Sequence, residues 1–221
     1  MAELIEQIEP ERVRAAMEEV RGEIAEACLR SGRDPSQVEV VTASKYVAPE
    51  QMGLLAEAGI GLVGENRAQE MAAKAELWPG RFEFDFIGRL QSRKVKQVVP
   101  FARLIHSVAS DSVLEQLGRH GTPETKVLVQ VNVAGEEAKD GIAPDDLAAF
   151  IDRCPVEVVG LMTMPPFAED PEESRPWFAR LAELARENGL PELSMGTTQD
   201  FPVAVEEGAT LVRVGSRILR P

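Results

Sequence analysis

Short runs rich in β-branched residues alternate with helical stretches from residue 38 onward, and the alternation passes through eight cycles. The runs fall at 38–44, 61–63, 83–87, 103–107, 126–133, 156–162, 191–195 and 210–214, with helical periodicity at 49–58, 66–77, 91–98, 111–119, 144–152, 174–188 and 200–207 between them. Runs such as Lys126 to Val133 are nearly continuous rather than alternating, as expected of parallel strands buried on both faces. Parallel strands need a crossover between neighbours, and eight such units in 221 residues predict an α/β fold, a (β/α)8 TIM barrel rather than an open doubly wound sheet. A leading helix over about 10–30 precedes them. Val13, Met17, Val20, Ile24 and Cys28 recur at three- and four-residue steps, and Gly32 before Asp34-Pro35 ends that pattern. One barrel domain over 1–221 is the expectation, since no linker, repeat or low-complexity tract interrupts the alternation.

Charge narrows the partners. A formal net charge of −13 disfavours nucleic acid and anionic membrane, which are gripped by clustered Lys and Arg. No run approaches the roughly 18 apolar residues of a membrane span, and Met1 to Glu6 shows neither the basic region nor the apolar stretch of a signal peptide. Cys28 and Cys154 stand far apart without metal-ligand spacing, which fits packed thiols in a reducing, cytoplasmic compartment. Two histidines, His106 and His120, without paired ligand spacing argue against a metal site.

In a barrel of this kind, residues that do chemistry gather where strands end and helices begin. Lys45 closes the first run, Gly64-Glu65-Asn66 the second, Gly88 with Gln91-Ser92 the third, and His106-Ser107 the fourth. Asn132, Thr163, Ser194-Met195-Gly196, Arg213 and Gly215-Ser216 follow the others. A lysine at a strand end is usually a surface residue, but as a nucleophile it needs loss of its proton, which desolvation or nearby cations promote. Hydroxyls and a glycine before a helix, as in Ser194 to Thr198, offer backbone N–H groups and the positive end of a helix dipole to a phosphate. Gly215-Ser216 forms a second half-cup, in the other of the two loops from which barrels build phosphate sites. Arg213, at the inner end of a buried strand, requires an acceptor, and a pyridine nitrogen is one. Lysine, phosphate cup and arginine together suggest pyridoxal phosphate.

The strings Ser44-Lys45, Gly64-Glu65-Asn66-Arg67-Ala68-Gln69-Glu70, Phe86-Ile87-Gly88-Arg89-Leu90-Gln91-Ser92-Arg93-Lys94, Ile105-His106-Ser107-Val108, Gly160-Leu161-Met162, Leu193-Ser194-Met195-Gly196 and Val212-Arg213-Val214-Gly215-Ser216 resemble, in order, the YggS/PROSC family of pyridoxal phosphate homeostasis proteins. The resemblance runs from about residue 10 to the end and implies a fold-type III barrel similar to the N-terminal domain of alanine racemase. It implies pyridoxal 5'-phosphate held covalently at Lys45, its phosphate held by Ser194, Gly215 and Ser216 with Met195 and Gly196 beside them, and its ring nitrogen facing Arg213. Asn66, His106 and Met164 are expected around the ring. The sequence departs from the family pattern at Asp85, where histidine is common, at Arg93, where asparagine is usual, at Thr197-Thr198, where Met-Ser is usual, and in its final residues Arg217 to Pro221.

The function so implied is intracellular homeostasis of the cofactor by a monomer that holds it as a reversible Schiff base and exchanges it, pyridoxal-phosphate-dependent apoenzymes being candidate recipients. Dedicated turnover is not expected. Catalysis on amino acids needs an electron sink and a positioned acid or base, and a permanent cation at the ring nitrogen weakens that sink. Racemases on this barrel draw a second base, a tyrosine, from an additional domain. The one tyrosine here, Tyr46, is expected from strand alternation to face away from Lys45. An amino-acid racemase is the alternative, and a cofactor-free lysine aldolase of a sugar phosphate is a third.

Overall fold

The computed structural model describes residues 5, 7–136 and 140–220, so Met1 to Leu4, on which the reading of the N-terminus rests, lie outside it. Helix α1 (Pro10–Ser31) leads into β1 (Glu39–Ala43), α2 (Met52–Glu57), β2 (Leu62–Glu65), α3 (Ala68–Leu77), β3 (Glu83–Phe86), α4 (Val95–Val98), β4 (Ala102–Val108) and α5 (Asp111–His120). The second half adds β5 (Lys126–Gln130), α6 (Leu147–Asp152), β6 (Glu157–Met162), α7 (Arg175–Glu187), β7 (Glu192–Thr197), α8 (Phe201–Glu206), β8 (Leu211–Val214) and α9 (Ser216–Leu219). The strands pair in sequence order and β8 pairs with β1, all in parallel, so the sheet closes into the eight-stranded barrel that the alternation predicts.

Strand side chains alternate between two environments. Val41, Leu104, Leu128, Met162 and Leu211, from five different strands, meet one another in the lumen. The intervening residues, such as Val63, Phe84, Val127, Val129, Leu161 and Val212, join the larger core between the strands and the helices. Helix α1 buries Val13, Met17, Val20, Ile24 and Cys28, the face legible in its sequence, and packs on α8 and α9. Gly32 ends it in the left-handed conformation at φ 69°, which favours glycine.

Element ends moved where hydrogen bonding outweighed composition. The run at 126–133 leaves the ladder after Gln130, and Val131 continues as an isolated bridge to Ile142. The stretch 91–98 opens with a 3-10 turn at Ser92–Lys94 before α4. Two shifts bear on the site. Strand β1 ends at Ala43, two residues short of Lys45, and β7 runs on to Thr197, two residues beyond the expected end. Among the described residues no helix is long and apolar enough to cross a membrane.

Candidate functional site

The C-terminal ends of the strands surround a cavity of about 740 Å³. Ala43, Lys45 and Tyr46 enter its wall after β1, Asn66 after β2, Ile87, Gly88 and Arg89 after β3, and Met164 after β6. Thr197, Thr198 and Gln199 follow from the end of β7, Arg213, Gly215 and Ser216 from the end of β8, and Leu219 and Arg220 from the last turn. Lys45, Arg89, Arg213 and Arg220 bring positive charge, and no Asp or Glu lines this wall among the described residues. In a chain of net charge −13 that segregation suits an anionic ligand.

Gly88 and Gly196 are required by sterics rather than by chemistry. A Cβ on Gly88 would lie 2.3 Å from the Asn66 carbonyl oxygen, so glycine lets the turns after β2 and β3 touch. Gly196 has φ 88°, and a Cβ there would meet Ala204 Cβ at 2.6 Å, so only glycine lets the end of β7 press against α8.

Of the residues singled out in the sequence, Lys45, Asn66, Met164, Arg213, Gly215 and Ser216 share this wall. Ser194, Met195, Gly196 and His106 do not. Ser194 is fully buried in mid-strand, and its hydroxyl is engaged by Arg213 Nη1 at 2.6 Å and by His106 Nδ1 at 2.8 Å, which corrects the expectation that it holds a phosphate. Met195 points the other way, into the core beneath the helices. Gly196 lines a neighbouring pocket of about 270 Å³ with Met164, Phe167 and Arg213. His106 is fully buried in the lumen below the cavity rather than beside a ligand ring.

The loops after β7 and β8 meet at Thr198, four residues after Ser194 and just past the end of β7. Thr198 Oγ1 accepts from Gly215 N–H at 3.4 Å and stands 3.5 Å from Ser216 Oγ, which joins the two loops. Thr197 instead donates its N–H and its hydroxyl to Asp200, at 2.7 and 3.1 Å, and so shapes the turn. Thr198 belongs to the hydroxyl-rich stretch from Ser194 to Thr198 already legible in the sequence, and the register that sets Thr197 opposite Arg213 decides which of its hydroxyls meets the last loop. Several other polar residues at strand ends serve the backbone. Thr163 donates to the Val131 carbonyl at 2.9 Å, Ser107 to that of Gly88, and Asn132 to that of Glu136 at 2.8 Å.

Tyr46 corrects another expectation. Because β1 stops at Ala43, strand alternation no longer governs residues 45 and 46, and both side chains reach the cavity. Lys45 Nζ lies 4.9 Å from the centre of the Tyr46 ring, and the Arg220 guanidinium lies 5.5 Å from the same ring. These are cation–π distances.

Beneath the cavity, side chains from five strands form a continuous polar line. Arg213 donates to Ser194 Oγ and, through Nη2, to the Thr163 carbonyl at 3.0 Å. Ser194 meets His106, whose Nε2 lies 3.1 Å from Asp85 Oδ2. Asp85 receives a fork from Arg103, Nε to Oδ1 at 2.9 Å and Nη2 to Oδ2 at 2.8 Å, and Arg103 also donates to Glu39 at 2.9 Å at the opposite mouth. Burial pulls Arg213 down to about 10, with Asp200 opposing the shift. Burial also lowers His106, although Asp85 opposes it. For Asp85, burial works upward, but the hydrogen bonds from Arg103 and His106 outweigh it and hold the carboxyl below its ordinary range.

A second buried ionic group lies behind Lys45, outside the barrel wall, and no sequence motif announces it. Lys74 of α3, fully enclosed, donates to Glu65 Oε1 at 2.5 Å and to the Ser44 carbonyl at 2.8 Å, while Ser44 Oγ donates to Glu65 Oε1 at 2.6 Å. Its only sequence signal is a lysine at a buried position of an otherwise amphipathic helix.

Comparison with known proteins agrees with this architecture. Residues 43–219 match the family described as alanine racemase, N-terminal domain. A pyridoxal phosphate homeostasis protein of Aquifex aeolicus is 41% identical over 207 residues, covering 87% of this chain and 91% of that protein. One of Pseudomonas aeruginosa is 35% identical over 209 residues, covering 90% and 91%. The structure of PipY from Synechococcus elongatus, with PLP bound, superposes with a TM-score of 0.73 at 32% identity, covering 89% of this chain and 99% of that one. The chain belongs to the family of pyridoxal phosphate homeostasis proteins, built on the alanine racemase N-terminal domain.

Proposed function

We propose that this protein binds pyridoxal 5'-phosphate as a reversible Schiff base on Lys45 and serves the homeostasis of that cofactor without dedicated turnover. The observation that carries the reading is the joining, on one wall to which no described residue brings a carboxylate, of a lysine amine, the Arg213 guanidinium and the Thr198, Gly215 and Ser216 cup. The residues fit the group. The cavity has the volume of a small-molecule site, the cup offers hydroxyls to a phosphate, and Arg213 offers donors to a ring nitrogen. Bound there, the cofactor supplies an aldehyde that condenses with a primary amine.

Lys45 provides that amine from a turn whose preceding carbonyl is fixed by Lys74. Arg213, a pure donor, leaves a ring nitrogen unprotonated and so withholds the electron sink that amino-acid chemistry needs. Asn66 and Met164 stand at the open side of the cavity. In this reading a single barrel, acting as a cytoplasmic monomer, stores the aldehyde and releases it to water, to an incoming amine or to a pyridoxal-phosphate-dependent apoenzyme. The test is mass spectrometry after borohydride reduction of the loaded protein, where the modification is expected on the peptide containing Lys45. Its appearance on another lysine overturns the assignment.

One observation favours a second reading. Tyr46, which shares the cavity with Lys45, supplies a candidate acid or base for an amino-acid racemase. Exchange of the α-hydrogen of alanine for deuterium by the loaded protein, followed by proton NMR, separates the two. Steady exchange accompanied by loss of optical purity of L-alanine, both lost in Tyr46→Phe, establishes the racemase.

A further inference from the structure

We propose that Asp85, His106 and Ser194 are positioning residues that form a one-way hydrogen-bond chain across the barrel lumen and hold Arg213 as a donor facing the cavity. The direction of every link follows from what each group is able to donate. A guanidinium has donors only, so at 2.6 Å Ser194 Oγ must accept from Arg213. An ionised carboxylate only accepts, so the His106 Nε2 that lies 3.1 Å from Asp85 Oδ2 carries a hydrogen. In the neutral imidazole Nδ1 is then bare, and it accepts the remaining proton of the Ser194 hydroxyl at 2.8 Å. The Arg103 fork fixes that carboxylate from the opposite side.

An imidazolium would break this order, because both ring nitrogens would donate and the Ser194 proton would be stranded in a fully buried site. The downward pull of burial on His106, with Arg213 and Arg103 reinforcing it, points the same way. Among the described residues, Asp85 and these two guanidiniums are the charged groups that act on His106. The identity of residue 85 matters for the same reason. A carboxylate has lone pairs enough for both the Arg103 fork and the His106 proton, whereas an imidazole at 85 has at most one acceptor nitrogen. The departure from histidine at this position thus completes the chain.

What Arg213 meets in the cavity rests on the proposed cofactor reading, but the chain is tested without it. In protein labelled with 15N-histidine, NMR near neutral pH is expected to show His106 as the neutral tautomer protonated on Nε2, distinguishable from exposed His120. A proton on Nδ1, or an imidazolium, overturns the chain. Asp85→Asn is expected to move the proton to Nδ1. Ser194→Ala, which removes the link without altering a charge, is expected to speed hydrogen exchange at the Arg213 guanidinium and to weaken cofactor binding about tenfold, with Lys45 still labelled by borohydride. Unchanged exchange and affinity in Ser194→Ala show that Arg213 holds its place unaided, and the positioning role falls. If the unaltered protein takes up no cofactor, the functional reading fails by itself, and the tautomer and exchange measurements still decide the chain.

Discussion

Lys74 Nζ donates to the backbone carbonyl of Ser44 at 2.8 Å, so an ammonium enclosed under α3 holds the residue that precedes Lys45. The same ammonium is paired with Glu65, and the second oxygen of Glu65 has no hydrogen-bond partner among the described residues. Such a pair contributes little net stability, because desolvation offsets the Coulomb attraction, but it penalises the loss of either member heavily.

Lys74→Met is therefore expected to destabilise the protein by about 3–5 kcal/mol at neutral pH, since it leaves Glu65 buried without a counter-charge. The double variant Glu65→Gln with Lys74→Met should recover much of that loss. Urea unfolding of the single and double variants checks this, and equal stabilities would refute it. Burial raises the Glu65 carboxyl despite Lys74. Its contribution is thus full below the unfolded-state value of about 4.3 and is lost as pH rises through the folded value.

Asp85 has the opposite sign. Its folded-state pKa is lowered, so its contribution is present above the unfolded-state value of about 3.9 and is lost as pH falls through the folded value. Asp85→Asn should then cost about 1–3 kcal/mol at neutral pH, because Arg103 loses the charged fork yet keeps Glu39 and part of its hydration, and should converge on the parent stability in strong acid. Denaturant unfolding across a pH series measures the convergence.

Lys45→Ala is expected to abolish the borohydride-trapped adduct while leaving weak, reversible binding of pyridoxal phosphate through the cup and Arg213. Fluorescence titration with intact-mass analysis reads both. Retention of the trapped adduct in this variant would move the chemistry to another lysine.

Ser216→Ala and Thr198→Val should each weaken binding of pyridoxal phosphate about tenfold and leave binding of unphosphorylated pyridoxal unchanged, since each removes one hydroxyl from the cup. A calorimetric comparison of the two ligands provides the check. Equal losses for both would place the phosphate elsewhere.

Much of the site was legible in the sequence because barrel topology carries chemistry to strand ends, and strand ends are visible as the points where β-branched runs give way to polar and glycine residues. Lys45, Asn66, Arg213, Gly215 and Ser216 stand at such points, and all five line one cavity. Ser194 and His106 were misplaced because composition locates a strand to within a few residues, whereas facing inward or outward, above or below, changes with every residue. Because β7 runs on to Thr197, it is Thr198 rather than Ser194 that meets Gly215 and Ser216. The early end of β1 turned Tyr46 toward Lys45.

The sequence by itself determined the barrel and the identity of the groups at its mouth, because periodicity and turn residues are local properties that survive without knowledge of contacts. Only the tertiary structure decided which polar residues face the cavity and which are consumed in buried lines such as Arg213–Ser194–His106–Asp85 or Ser44–Glu65–Lys74. Those lines join residues as far apart as 88 positions, and they depend on sheet register, which is set by the closure of all eight strands together.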